Sequence, residues 1–147
     1  MKEKANFHIL LVEDNPADEE LALHALKKEK SHYQITVVRD GEEAVQCLFG
    51  DNTASDNQPP PVPDLILLDL KLPKISGLEI LKKIKTDQLT RAIPVVVLTS
   101  SDQERDITTS YRLGANSYIT KPVDFETFSS TIQRIARYWL SLNRPPT

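Results

Sequence analysis

Short apolar runs alternate with amphipathic segments along most of the chain. Four short runs are rich in apolar residues: FHILLV (7–12), DLILLD (64–69), IPVVVLT (93–99) and SYIT (117–120). A weaker fifth run is QITVVR (34–39). Nearly continuous apolar residues are typical of strands that are covered on both faces, as in a parallel sheet. The pattern therefore predicts five strands.

The segments between the apolar runs have helical spacing. The first predicted helix extends from Pro16 to about Glu29, with Asn15 as its N-cap. The second lies in the amphipathic segment GEEAVQCL (41–48), and the third opens with SGLE (76–79), which has capping-box spacing. A fourth is predicted from Asp102 to about Leu113, and a fifth from Asp124 to about Leu142.

Five strands that alternate with five helices predict an α/β fold with right-handed crossovers and a doubly wound sheet. The 147 residues fit one domain, which we expect to span residues 1–147 with a core over about 7–142 and no output domain. Ligands of such sheets bind outside the carboxyl ends of the strands. The candidate chemistry should therefore lie at the strand ends.

Charge and composition narrow the function classes. The net charge is −3, and the 18 basic residues are interspersed with 21 acidic ones, which argues against nucleic acid as a partner. Cys47 is the single cysteine, so a disulfide framework is excluded. No apolar run approaches the length of a membrane span. We expect a cytoplasmic protein.

Polar and charged side chains follow four of the five predicted strands. Glu13 and Asp14 follow the first strand, Asp69 follows the third, Thr99 ends the fourth, and Lys121 follows the fifth. Three carboxylates at one sheet edge repel one another, and a hard divalent cation, Mg²⁺ above all, would neutralise them. Asp69 would then be a nucleophile that forms an aspartyl phosphate, with Thr99 and Lys121 beside the phosphoryl oxygens.

Four motifs at these strand ends resemble the receiver domain of two-component response regulators. They are LLVEDN, LLDLKLPKISG, VVVLTSS and YITKP, and they occur in the family's order over residues 7–142. The resemblance implies a flavodoxin-like sheet of order 2-1-3-4-5. It also implies a single-domain phospho-acceptor that receives a phosphoryl group from a histidine kinase. Its only reactions would be its own phosphotransfer and dephosphorylation.

The resemblance also implies a role for each matching residue. Mg²⁺, or Mn²⁺ in its place, would be held by Asp14, Asp69 and the backbone carbonyl of Lys71, with Glu13 acting through a metal-bound water. Thr99 and Lys121 would contact the phosphoryl group, and Thr99 and Tyr118 would form the conformational switch. The Lys121–Pro122 peptide would be cis.

Two features depart from the commonest receiver pattern. The position two residues after the acceptor is Lys71, a long cation near the phosphoryl site. The connection FGDNTASDNQPPPVPD before the third strand is also long. Together with the ending RYWLSLNRPP, this loop resembles the single-domain receivers that serve bacterial phytochrome kinases. A phytochrome is therefore a candidate kinase.

Two other function classes stay open at this point. A pseudo-receiver would bind protein partners without phosphorylation, but every residue of the family's site is in place. A phosphatase of the haloacid dehalogenase type also uses a nucleophilic Asp at a strand end, yet it needs a second acid two residues on, where this chain has Lys71. The phosphorylatable switch is preferred.

The length of the apolar series in the last helix predicts that the chain self-associates. Its apolar residues recur at steps of three and four: Phe125, Phe128, Ile132, Ile135, Trp139 and Leu142. The first four suffice to cover one sheet edge, so Trp139 and Leu142 would extend beyond it and meet a second chain. We expect a homodimer through the fourth helix, fifth strand and fifth helix. The alternative is that Trp139 folds back over its own sheet.

Overall fold

A five-stranded parallel sheet with helices on both faces forms the protein. The computed structural model describes residues 6–30, 32–50 and 62–146, so most of the long connection before the third strand lies outside the described residues. In chain order the elements are β1 (His8–Val12), α1 (Pro16–Glu29), β2 (Gln34–Val38), α2 (Gly41–Phe49), β3 (Leu65–Leu68), α3 (Gly77–Thr86), β4 (Val95–Thr99), α4 (Glu104–Arg112), β5 (Ser117–Thr120) and α5 (Phe125–Arg137). A π-helical turn (Tyr138–Leu142) continues α5.

The strands lie in the order β2-β1-β3-β4-β5, and all four pairings are parallel. This confirms the predicted strand order. Val12, the last residue of β1, is level with Leu68, the last of β3. At the same end of the next strand pair, Thr99 of β4 is level with Thr120 of β5. The register therefore brings the polar residues after these strands to the same edge of the sheet.

Two hydrophobic layers cover the sheet, because successive side chains of a strand point to opposite faces. Ile9 and Leu11 belong to the layer beneath α1 and α5, while Leu10 and Val12 belong to the layer beneath α2 and α3. All four are at most 2% exposed. The near-continuous apolar runs follow directly from this burial on both sides.

Capping side chains fix where the helices begin. Asn15 accepts hydrogen bonds from the backbone N–H groups of Ala17 and Asp18 at 2.9 and 3.0 Å, as predicted for the start of α1. The Ser76 hydroxyl accepts one from the backbone N–H of Glu79 at 3.3 Å. Helix α1 therefore starts four residues after β1, close to the acidic pair.

The C-terminal helix differs from the prediction in the faces that it buries. Phe125 is 72% exposed and does not cover the sheet. Trp139 is partly buried against the layer beneath α1 and α5, and Leu140 is 7% exposed. The expectation that Trp139 extends beyond its own core is therefore wrong. Leu142, at 67% exposed, does extend beyond it.

Within the described ranges, no helix combines the length and the apolarity that crossing a membrane requires.

Candidate phosphoryl-acceptor site

Backbone hydrogen bonds hold the residues that follow the strands. The backbone N–H of Asp69 donates to the carbonyl of Val12 at 3.0 Å, and that of Lys121 donates to the carbonyl of Thr99 at 2.7 Å. The ladder of the sheet thus continues one residue past the strands. Asp69 and Lys121 consequently have positions as well defined as those of the sheet itself.

A close approach of α3 supports the turn after β3. Gly77, the first residue of α3, lies so near this turn that a Cβ atom there would be 2.4 Å from the carbonyl oxygen of Asp69 and 2.5 Å from Cα of Leu70. The backbone N–H of Gly77 also donates to the carbonyl of Leu70 at 3.0 Å. A side chain at position 77 would push the helix away from Asp69.

Lys121 forms the centre of a cluster of ion pairs at this edge. Its Nζ atom lies 2.9 Å from Oε1 of Glu13, 2.8 Å from Oδ2 of Asp18 and 3.0 Å from Oδ2 of Asp69. The side chains of Lys121, Glu13 and Asp69 are 10%, 3% and 7% exposed. Charge-assisted hydrogen bonds compensate for this burial, since an unpaired ammonium or carboxylate would be costly here.

Burial and neighbouring charges shift the pKa values of this cluster. Burial raises the pKa of Glu13 to about 7, and this outweighs the hydrogen bond and charge of Lys121, which lower it. Burial alone would lower the pKa of Lys121, but its hydrogen bonds to Asp18 and Glu13 prevail and raise it. Lys121 is therefore a permanent cation at neutral pH, whereas Glu13 titrates near neutrality.

Three carboxylates form a group that suits a hard cation. Ligand oxygens of Glu13, Asp14 and Asp69 all lie within 4.8 Å of one another, and Asp14 is exposed to solvent. Carboxylate oxygens are the ligands that Mg²⁺ and Mn²⁺ prefer, and an open side leaves room for water ligands. The residues present therefore fit a divalent cation.

The profile of the response regulator receiver domain matches residues 9–133. This match covers most of the chain and includes every residue of the cluster around Lys121. The chain belongs to the response regulator receiver domain family. Receivers are phospho-acceptor signalling domains, so the family assigns the site its general class of chemistry.

Several receivers are similar to this chain over nearly their whole length. The probable methanogenesis regulatory protein FilR2 of Methanothrix harundinacea is 41% identical over 140 residues, which cover 95% of this chain and 88% of FilR2. A crystal structure of the phosphorylated cyanobacterial phytochrome response regulator RcpA has a TM-score of 0.88 at 41% identity and covers 97% of this chain and 100% of RcpA. The Mn²⁺-bound form of the response regulator Rcp1 has a TM-score of 0.87 at 38% identity, with 96% and 99% covered.

The predicted switch residues of the receiver lie on β4 and β5. Thr99 is fully buried, and its hydroxyl accepts a hydrogen bond from the backbone N–H of Ser101 at 3.4 Å. The hydroxyl of Tyr118 donates to the carbonyl of Ser101 at 2.8 Å. Burial raises the pKa of Tyr118. Both side chains thus contact the loop after β4, while their roles in switching stay predictions.

The peptide bond before Pro122 differs from the expectation. The described residues contain no cis peptide, so the predicted cis bond between Lys121 and Pro122 is wrong for this structure. The trans isomer is the intrinsically preferred one for a peptide bond before proline. With a trans bond, Lys121 still reaches Asp69.

The predicted carbonyl ligand, Lys71, has an exposed side chain. Its backbone N–H donates to Oδ1 of Asp69 at 3.1 Å, which fixes the orientation of that carboxylate. The metal contact predicted for its carbonyl stays a prediction.

Two parts of the site were missed by the sequence analysis. Asp18 contacts Lys121, although its position in the first turn of α1 suggested no more than a helix-dipole partner. Ser101 donates from its hydroxyl to Oδ2 of Asp106 at 2.5 Å, which ties the β4 loop to α4. A Ser followed five residues later by an Asp carries no recognisable signal in the sequence.

Proposed function

We propose that this chain is a response regulator that accepts a phosphoryl group on Asp69 from a histidine kinase, with Mg²⁺ or Mn²⁺ bound by its acidic cluster. The observation that carries the proposal is that the buried carboxylate of Asp69 lies beside the Lys121 ammonium and close to the carboxylates of Glu13 and Asp14. The Mn²⁺-bound form of Rcp1 and the phosphorylated form of RcpA support it as relatives.

The chemistry is a phosphoryl transfer between two side chains. A carboxylate oxygen of Asp69 attacks phosphorus, and the bond between phosphorus and the histidine nitrogen of the kinase breaks. The electron pair remains on the imidazole, which can take up a proton, and Asp69 becomes an acyl phosphate. Lys121 is placed to pair with a phosphoryl oxygen, because its ammonium already lies 3.0 Å from Oδ2 of Asp69.

A divalent cation would be held by Asp14, Asp69 and the Lys71 carbonyl, with Glu13 acting through a bound water. When bound, it would offset the charge of the carboxylates and of the incoming phosphoryl group. Without that compensation, an anionic donor would meet an edge of the sheet that carries more acids than bases. The carboxyl groups themselves would provide the oxygen ligands, while the Lys71 backbone N–H and the Lys121 ammonium hold the Asp69 carboxylate in place.

Phosphorylation would be read out by protein contact. If Thr99 turns toward a phosphoryl oxygen, Tyr118 can move into the space that it leaves, which alters the surface of α4 and β5. Self-association through the face formed by α4, β5 and α5 is the readout that we favour. The exposed side chains of Tyr111, Tyr138 and Leu142 supply apolar area for it.

A phytochrome is the kinase that the comparisons favour. RcpA is described as a cyanobacterial phytochrome response regulator, and it is similar to this chain from end to end. A radiolabelled phytochrome kinase should therefore transfer its phosphoryl group to this chain faster than an unrelated histidine kinase does. Equal or slower transfer from the phytochrome would contradict the assignment of the kinase while leaving that of the acceptor intact.

The decisive experiment is incubation with acetyl phosphate followed by intact-mass measurement. The wild type should gain the mass of one phosphoryl group in the presence of Mg²⁺ and none in the presence of a chelator, and Asp69→Asn should gain none. A pseudo-receiver would gain no mass under any condition. A phosphatase would instead release phosphate continuously from a phosphomonoester. Equal labelling of Asp69→Asn would remove Asp69 from its role.

A further inference from the structure

The three hydrogen-bond donors of Lys121 are matched by three carboxylates, and these differ in what a phosphoryl cycle would do to them. An ammonium group carries three N–H donors. Two of its partners, Glu13 and Asp69, belong to the acidic cluster that fits a cation. The third, Asp18, lies on α1 outside that cluster, with its Oδ2 atom 2.8 Å from Nζ.

Cation binding and phosphorylation would both change the contacts of Glu13 and Asp69 with Lys121. A divalent cation would claim carboxylate oxygens of Glu13 and Asp69, directly or through water. Phosphorylation would turn one oxygen of Asp69 into the bridging oxygen of a mixed anhydride and the other into a carbonyl oxygen, and both are weaker acceptors than a carboxylate. Asp18 takes part in neither event, so its contact with Lys121 can persist through both.

We propose that Asp18 is a positioning residue that keeps hold of the Lys121 ammonium while the other two partners of Lys121 change theirs. Glu13 and Asp69 would then contact a divalent cation, and Asp69 would also bond to a phosphoryl group. This inference rests on the proposed function. It also gives Asp18 a role before phosphorylation. Because an ammonium held by Asp18 is held less tightly by the cluster, Asp18 lowers the competition between Lys121 and the incoming cation for the same carboxylates.

Asp18 also has a simpler structural explanation. An acid in the first turn of a helix interacts favourably with the positive end of the helix dipole, and Asp18 occupies that turn of α1. That explanation predicts an effect on stability that is independent of Lys121. The anchor predicts an effect that requires Lys121, so a double-mutant cycle separates the two.

The first measurement is Mn²⁺ binding to the unphosphorylated protein by calorimetry. The control is Glu20→Gln, which removes the same charge from an exposed position on the same helix. We expect Asp18→Asn to weaken Mn²⁺ binding about fivefold more than Glu20→Gln does, a modest effect because Asp18 is 25% exposed. In a Lys121→Met background, the effect of Asp18→Asn should shrink at least about threefold.

Equal effects of Asp18→Asn in the two backgrounds would overturn the proposal, because a direct charge or helix-dipole effect does not need Lys121. Failure of the wild type to bind Mn²⁺ would overturn it together with the proposed function. Thermal melts of each variant verify that the fold is retained, which we expect because the Asp18 side chain is partly exposed.

The second measurement is the rate of phosphorylation by acetyl phosphate at saturating Mg²⁺. Asp18→Asn should be slower than wild type by about fivefold, and Asp18→Glu, which keeps the charge, should recover part of the rate. A faster Asp18→Asn would show that Asp18 acts by repelling the donor and would overturn the anchor. If the wild type binds Mn²⁺ with the predicted coupling but gains no phosphate, the proposed function fails, and only the coupling of Asp18 to cation binding through Lys121 stands.

Discussion

Replacing Glu13 by glutamine should change how the stability of the protein depends on pH. Burial raises the pKa of Glu13 from its ordinary value of 4.5 to about 7, against the opposing influence of Lys121. In the unfolded chain the carboxyl returns to its ordinary value. Between pH 4.5 and 7 the folded protein therefore binds a proton that the unfolded chain has released, and the free energy of unfolding falls as pH rises.

The size of the effect follows from the two pKa values. At about 1.4 kcal/mol per pH unit, the Glu13 carboxyl contributes about 3 kcal/mol that is fully present below pH 4.5 and lost above pH 7. Glutamine has no such titration. The difference in free energy of unfolding between wild type and Glu13→Gln should therefore fall by about 2 to 3 kcal/mol from mildly acidic to mildly alkaline pH, to the disadvantage of the wild type.

Urea unfolding in the presence of a chelator provides the assay. Trp139 is the single tryptophan and is partly buried, so its fluorescence reports on unfolding. Glu20→Gln is the control, because it makes the same substitution at an exposed position of α1. A difference between wild type and Glu13→Gln that is the same at both ends of the pH range would refute the argument. Mg²⁺ at about one hundred times its Kd should then restore about 2.7 kcal/mol to the wild type at alkaline pH.

Three further predictions concern the switch, the scaffold and the oligomeric state. Thr99→Ala should still accept phosphate, but the NMR signals of its Tyr118 ring should not change on phosphorylation. If they change as much as in the wild type, Thr99 does not relay the signal to Tyr118. Lys85→Met should lower the free energy of unfolding by about 1 to 3 kcal/mol in urea titrations, because it removes the ammonium donor of the Ile93 carbonyl and one of the two donors to Oδ1 of Asn116, the other being the backbone N–H of Val95. A comparable loss from the exposed Lys82→Met would refute this. Leu142→Ser should weaken any dimer seen by sedimentation of the phosphorylated protein, and a monomer at high concentration in every state would contradict self-association.

The fold could be predicted from the sequence because its strands are buried on both faces. Each strand displays this burial as an apolar run, and each helix start displays a capping residue such as Asn15 or Ser76. The position of the site followed from the same logic. Carboxyl ends of parallel strands share one edge of the sheet, which places Asp69 and Lys121 on the same edge. Their contact also depends on the length of the Lys121 side chain, because β4 lies between β3 and β5.

The faces of the last helix could not be predicted with the same success. Helical spacing indicates which residues share a side, but the orientation of that side depends on the neighbouring helix. Helix α5 packs beside α1, which leaves Phe125 on the surface near Leu21 and His24. The chain then enters a π-helical turn, which brings Leu140 into the core while Leu142 remains outside.

The contact between Asp18 and Lys121 illustrates what spacing alone does not contain. The two residues are 103 positions apart, and no sequence motif contains both of them. Their meeting depends on where α1 begins relative to the end of β5, which is set by the Asn15 cap at one end and the β4–β5 register at the other. A three-dimensional structure is needed to recognise it.

The charge balance of the site explains why a stable fold retains such an arrangement. Glu13, Asp18 and Asp69 contact the Lys121 ammonium, and Asp14 lies close to two of these acids, so the acids outnumber the base in this partly buried cluster. A region selected for stability alone would pair these charges equally or replace them by apolar residues. With the proposed cation bound, the excess of negative charge would instead make the folded protein gain stability. Phosphorylation would then add negative charge beside Lys121. The phosphoryl group on Asp69 and the carboxylate of Asp18 would compete for the Lys121 ammonium, which would connect the chemistry of Asp69 to the position of α1.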